Sequence, residues 1–215
     1  MMRQGFTNDL KDLRAALSDM GRQVDKALAI ALTALKEQNL QLANSVIAND
    51  HLIDELQIKI EDKCLLLIAL QQPMATDLRI LSTALKITTD LERIGDHAKN
   101  MAEVTVEIGT QPFIKPLVYI PDMTAKVRNM LEDALTAYLN MDSELAERVL
   151  QADDAVDDLC DNARHELLNY MIADSSAIGQ ASQLLYIVRC LERAGDHVGN
   201  IAECIIFLVT GQRVK

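Results

Sequence analysis

The residues able to do chemistry in this chain are carboxylates, and they recur at a fixed spacing. Residues 91–103 read LERIGDHAKNMAE and residues 191–203 read LERAGDHVGNIAE, identical at nine of thirteen positions one hundred residues apart. Each copy holds an acid pair at i, i+4, Glu92/Asp96 and Glu192/Asp196. A second pair precedes each copy, Asp50/Asp54 and Asp153/Asp157. In a helix, residues four apart lie on one face. Like charges there destabilise the helix by a few tenths of a kcal/mol per pair, and two such pairs on neighbouring helices repel further. A bound cation removes that penalty. Clustered carboxylate oxygens without thiolates or paired imidazoles suit a hard metal: Mg²⁺, Mn²⁺, Ca²⁺ or iron, with zinc a further candidate. Several carboxylates per site imply more than one ion. Asn100 and Asn200 can add neutral oxygens, and Glu103 and Glu203 extend the acidic face.

Each feature also has a plainer explanation. In a chain with 32 Asp and Glu, one D-x-x-x-D is a solvated helix face. Four pairs at repeat-equivalent positions carry more weight. Arg93 and Arg193 follow the glutamates and reach Asp96 and Asp196 at i+3, so an ordinary intrahelical ion pair accounts for them. His97 and His197 recur as well. They either buttress an aspartate from behind or make a structural hydrogen bond. A helical-bundle di-iron oxidase needs Glu-x-x-His, and none of the four histidines has a Glu three residues before it. A scaffold whose acidic stripe is neutralised by arginine alone predicts no metal.

The elements that must position these acids are helices. Aromatic residues make up 3% of the chain, there is no Trp, and Gly and Pro number 8 and 4. That is all-α composition. ALTALKEQNLQLANSVIANDHLID (31–54) aligns with ALTAYLNMDSELAERVLQADDAVD (134–157), so the repeat extends beyond the acidic motif. GTQPFIKPLVYIPD (109–122) holds three of the four prolines and reads as the linker. The patterning predicts helices over 6–38, 40–71 and 75–108, then 122–140, 143–173 and 178–211. Asn39 and Asp142 stand at N-cap positions. The expected fold is a tandem repeat of two three-helix bundles, six long antiparallel helices related by a pseudo-two-fold, with halves 1–108 and 122–215 joined by 109–121. Leu91, Ile94, Ala98, Met101, Ala102 and Thr105 form the core face of one motif helix, with Gly95 at its edge allowing close helix approach.

The net charge of −11 argues against nucleic acid and against direct binding to anionic lipid, and favours cations and basic partners. Four scattered cysteines with no C-x-x-C pair fit reduced thiols. The opening MMRQGFTNDL has no apolar stretch of a signal peptide, and a cytoplasmic location is expected.

The two motif copies, together with QQPMATDLR (71–79), resemble the PhoU family of phosphate-uptake regulators over nearly the whole chain. The resemblance implies a cytoplasmic, non-enzymatic negative regulator that couples the phosphate ABC transporter to the sensor histidine kinase of the phosphate regulon. It implies homodimers and membrane association only through those partners. It also implies multinuclear metal clusters on E(D)-x-x-x-D motifs, here Asp50, Asp54, Glu92 and Asp96, then Asp153, Asp157, Glu192 and Asp196. An accessory protein of a low-affinity phosphate transporter would share the bundle. The halves are not equivalent: Asp77, Arg79 and Asp90 are matched by Ala177, Gly179 and Cys190.

Overall fold

Polar caps and glycine stops cut the amphipathic runs into seven α-helices in a computed structural model that describes residues 2–213, with side chains from residue 5. They are α1 (Met2–Glu37), α2 (Leu40–Asn49), α3 (His51–Gln71), α4 (Thr76–Ile108), α5 (Tyr119–Asn140), α6 (Ser143–Ala173) and α7 (Ile178–Thr210). There is no strand among the described residues. Residues 1 and 214–215 of the two expected halves lie outside them. The Asn39 side chain accepts from the amides of Gln41 and Leu42 at 3.1 and 3.2 Å, and Asp142 accepts from Leu145 at 2.9 Å. Both are working N-caps.

The expected helix 40–71 is interrupted at Asp50. The Asp50 carbonyl accepts from the amides of both Ile53 and Asp54, and the His51 ring nitrogen Nδ1 lies 2.7 Å from the Ala48 carbonyl. A ring nitrogen occupies the carbonyl that the ladder would use, a known way to break a helix locally. Asp50 itself keeps helical angles, φ −55° and ψ −42°. The chain therefore still forms six rods. Helix α5 begins at Tyr119, three residues earlier than expected, with Pro121 in its first turn. A proline is tolerated there because its missing N–H has no intrahelical partner.

Helices α1 to α4 form the first bundle and α5 to α7 the second. The halves join through α4 on α7 and α1 on α5. Arg79, early in α4, meets Gly211 just past α7, and the His97 and His197 rings lie 5.8 Å apart at mid-helix. The two central helices thus run antiparallel about a pseudo-two-fold. The predicted core face of α4 is buried throughout, from Leu91 to Thr105. One apolar cluster runs through both bundles. The acid pairs of α4 and α7 lie toward α2, α3 and α6, which pack against them.

Candidate functional site

Each half gathers its four acids between two helices. In the first half Asp50 sits at the α2–α3 break, Asp54 on α3, and Glu92 and Asp96 on α4. Burial, Asp50 and Asp96 together push the Asp54 carboxyl above the usual range. Burial and then Asp96 do the same for Glu92. In the second half Asp153 and Asp157 lie on α6 and Glu192 and Asp196 on α7. Burial first, then Asp157 and Asp196, push Asp153 up to about 6. Asp157 is raised by burial, Asp196 and Glu192. These are the predicted groups, close enough to oppose each other's ionisation.

The glycines of the motif show how the acids are seated. A Cβ on Gly195 would stand 2.9 Å from Asp153 Oδ1, and one on Gly199 3.8 Å from Oδ2. The missing side chains let the Asp153 carboxylate lie against α7. In the first half the atom facing Gly95 is Ile53 Cδ1, at 3.0 Å, an apolar contact.

The halves also differ in how charge is balanced. Lys99 stands where the second half has Gly199, and its Nζ donates to Asp50 Oδ2 at 2.8 Å. The Asp50 side chain is 8% exposed, so this ammonium is its built-in counter-ion. Asp153 has no ion pair among the described residues. Sequence reasoning missed Lys99; its signal was the Lys-for-Gly exchange at an otherwise repeated position.

Around the acids, Arg93 lies 3.2 Å from Asp96 and 3.5 Å from Glu92, and Arg193 lies 3.2 Å from Asp196. Both fit the intrahelical ion-pair reading. Arg164 of α6 approaches Glu192 at 3.9 Å, a contact the sequence did not suggest. His97 and His197 do not back the stripe aspartates. Instead His197 Nδ1 lies 2.9 Å from Asp90 of the other half, and Asn200 donates to the same oxygen at 3.3 Å. Cys190 stands at the position matching Asp90, and His97 Nδ1 is buried with no partner. Asn200 therefore serves the contact between halves rather than the acid cluster. Glu103 lies near Tyr186, and Glu203 lines a groove between α4 and α7. Asn100 is half-buried on α4.

The donor set is all carboxylate, which suits a hard cation. As placed, no three His, Cys, Asp or Glu side chains among the described residues are arranged to hold a metal ion. The second cluster fits one better, since the Asp50 carboxylate already holds an ammonium.

The PhoU domain matches this chain twice, over residues 17–105 and 120–205. The chain belongs to the PhoU family. It is 39% identical over its full length to the Clostridium acetobutylicum "phosphate-specific transport system accessory protein PhoU homolog", covering 98% of that protein. The Aquifex aeolicus homolog of the same name is 38% identical, over 96% of this chain and 94% of that one. The crystal structure of PhoU from Pseudomonas aeruginosa superposes with a TM-score of 0.93 at 35% identity, over 96% of this chain and all of that one. The Streptococcus pneumoniae phosphate transport system regulatory protein PhoU gives 0.91 at 29% identity, over 98% and 99%. The two domain matches coincide with the two bundles, so each PhoU repeat here carries one acid cluster. No helix of this PhoU-family chain, among the described residues, is long and apolar enough to cross a membrane.

Proposed function

We propose that this PhoU-family chain is a non-enzymatic adaptor of phosphate transport. It works in the cytoplasm as a homodimer, links the phosphate ABC transporter to the sensor histidine kinase, and so represses the starvation response when phosphate is plentiful. The names of its full-length relatives support the transport role. Apolar side chains left in water at the α3–α4 end, Leu66, Leu70 and Met74, offer a contact face for a partner.

In this reading the acid clusters are metal sites. Asp153, Asp157, Glu192 and Asp196 hold the principal ions, whether magnesium, manganese, iron or zinc. Asp50, Asp54, Glu92 and Asp96 form a weaker site that must displace Lys99 from Asp50. A bound divalent ion would supply the positive charge that Asp153 and Asp157 otherwise lack. The protein's own part is to seat Asp153 against Gly195 and Gly199 and to hold Arg193 on Asp196, so that a charged, rigid face meets the partners. The observation that carries this reading is the half-buried Asp153, surrounded by acids and without a counter-ion.

Equilibrium dialysis against Mg²⁺, Mn²⁺, Fe²⁺ and Zn²⁺ with elemental analysis tests it. Glu192→Gln with Asp196→Asn should remove most of the bound metal, and Glu92→Gln with Asp96→Asn a smaller share. The helical circular dichroism should be unchanged in both, because these acids stand off the apolar face. Metal-free wild type after dialysis would refute the metal reading. The adaptor reading fails separately if the chain co-purifies with neither the transporter nor the kinase.

A further inference from the structure

Where α4 meets the end of α7 there is a groove of about 210 Å³. Its walls include Thr83 and Lys86 of α4, Glu203 and Phe207 of α7, and Arg213 just beyond it. Thr83 is 2% exposed, and its hydroxyl has no hydrogen-bond partner among the described residues. As a lining residue of the groove, Thr83 can offer that hydroxyl to a ligand there. Neither Lys86 nor Arg213 has a carboxylate within ion-pair distance among the described residues. The Arg213 guanidinium instead lies 5.9 Å from the centre of the Phe207 ring. Arg79 closes the same end, its guanidinium pressed on Gly211. In a chain of net charge −11, two cations without an ion-pair partner lining one groove, with Arg79 nearby, stand out from their surroundings.

We propose that this groove binds a phosphate-type oxyanion, free or as the phosphoryl end of a small organic phosphate. Lys86 and Arg213 supply charge-assisted donors, and the Thr83 hydroxyl donates a third hydrogen bond. Glu203 sets specificity. A carboxylate beside an oxyanion repels it unless the anion carries a proton that the carboxylate can accept. Inorganic phosphate has that proton near neutral pH, a phosphate monoester has it at or below its second pKa of about 6, and sulfate lacks it. The site is separate from the acid clusters and needs no metal, so it stands or falls independently of the metal reading.

The test is isothermal titration of the full chain after EDTA treatment, at about pH 6, where both phosphate and a phosphate monoester carry a proton, and at constant ionic strength. Inorganic phosphate, glycerol phosphate and sulfate are the three ligands. Saturable phosphate binding is expected, at least tenfold tighter than sulfate. Lys86→Ala and Arg213→Ala should each weaken it tenfold or more, while Lys36→Ala, an exposed lysine on α1, should not. Glu203→Gln should narrow the phosphate-over-sulfate preference. Glycerol phosphate binding as tightly as phosphate would identify an ester as the ligand, and phosphate alone would identify the free ion. Equal binding of sulfate and phosphate by the wild type would overturn the role of Glu203. Binding that survives Lys86→Ala, or that appears only when divalent metal is restored, would overturn the groove.

Discussion

Asp153 is the residue on which the two repeats part. Its carboxyl lies against Gly195 and Gly199, and burial and neighbouring acids raise it to about 6, against an ordinary value of 3.8. A carboxyl raised on folding stabilises the protein when protonated. That contribution is complete below the unfolded value and is lost as pH rises through about 6. His97 works in the opposite sense, since burial and His197 lower it and charging it in the fold is unfavourable. The comparison must therefore be made by difference. In metal-free protein, Asp153→Asn should raise the melting temperature at pH 7.5 and change it little at pH 4. Saturating divalent metal should narrow the gap at pH 7.5 by stabilising the wild type alone. Thermal melts at the two pH values with and without metal check this. An equal shift at both pH values would mean that Asp153 acts through packing and not through charge. The repeated acids were legible in the sequence because their spacing recurs. Their counter-ions were not. Lys99 reaches Asp50 from another helix, and no periodicity within one helix reports a contact of that kind.

At the scale of elements, most of the fold was legible because helix starts and stops are written in local chemistry. Asn39 and Asp142 cap the helices they were expected to cap. The break at Asp50 was not legible. It depends on which rotamer brings the His51 ring to the Ala48 carbonyl, and a lone histidine gives no such signal. The early start of α5 was hidden by Pro121, which reads as a breaker unless its place in the first turn is known. The caps give a direct test. Asn39→Ala removes an acceptor shared by two amides, and Asp142→Ala removes one serving a single amide. Each should cost about 1 kcal/mol. Urea denaturation should show this as a lower midpoint with an unchanged slope, since the surface exposed on unfolding is the same. A changed slope would mean that the loops between the rods hold structure of their own.

At the scale of the whole molecule, the repeat in sequence does not make two independent bodies. Helices α4 and α7 each bury residues toward their own bundle and toward each other, and the apolar cluster is continuous across the junction. Arg128 of α5 grips Asp25 of α1 with two hydrogen bonds, at 2.6 and 2.9 Å, so polar contacts cross the junction as well. Separating the halves would expose the inner face of α4, apolar area that stabilises the fold at about 25 cal/mol per Å². A single surface pair contributes about 1 kcal/mol or less, so the shared core outweighs the ion pair in joining the halves. The metal-free full chain should therefore unfold in one cooperative transition, with calorimetric and van't Hoff enthalpies in agreement. Residues 1–108 expressed alone should show helical circular dichroism without a sharp melt. Asp25→Ala should lower the melting temperature without splitting the transition. Two resolved transitions in the wild type would mean that the bundles fold separately and that the cluster across α4 and α7 is a docked interface. In that case the acid sites of the two repeats would also be free to bind their ions independently.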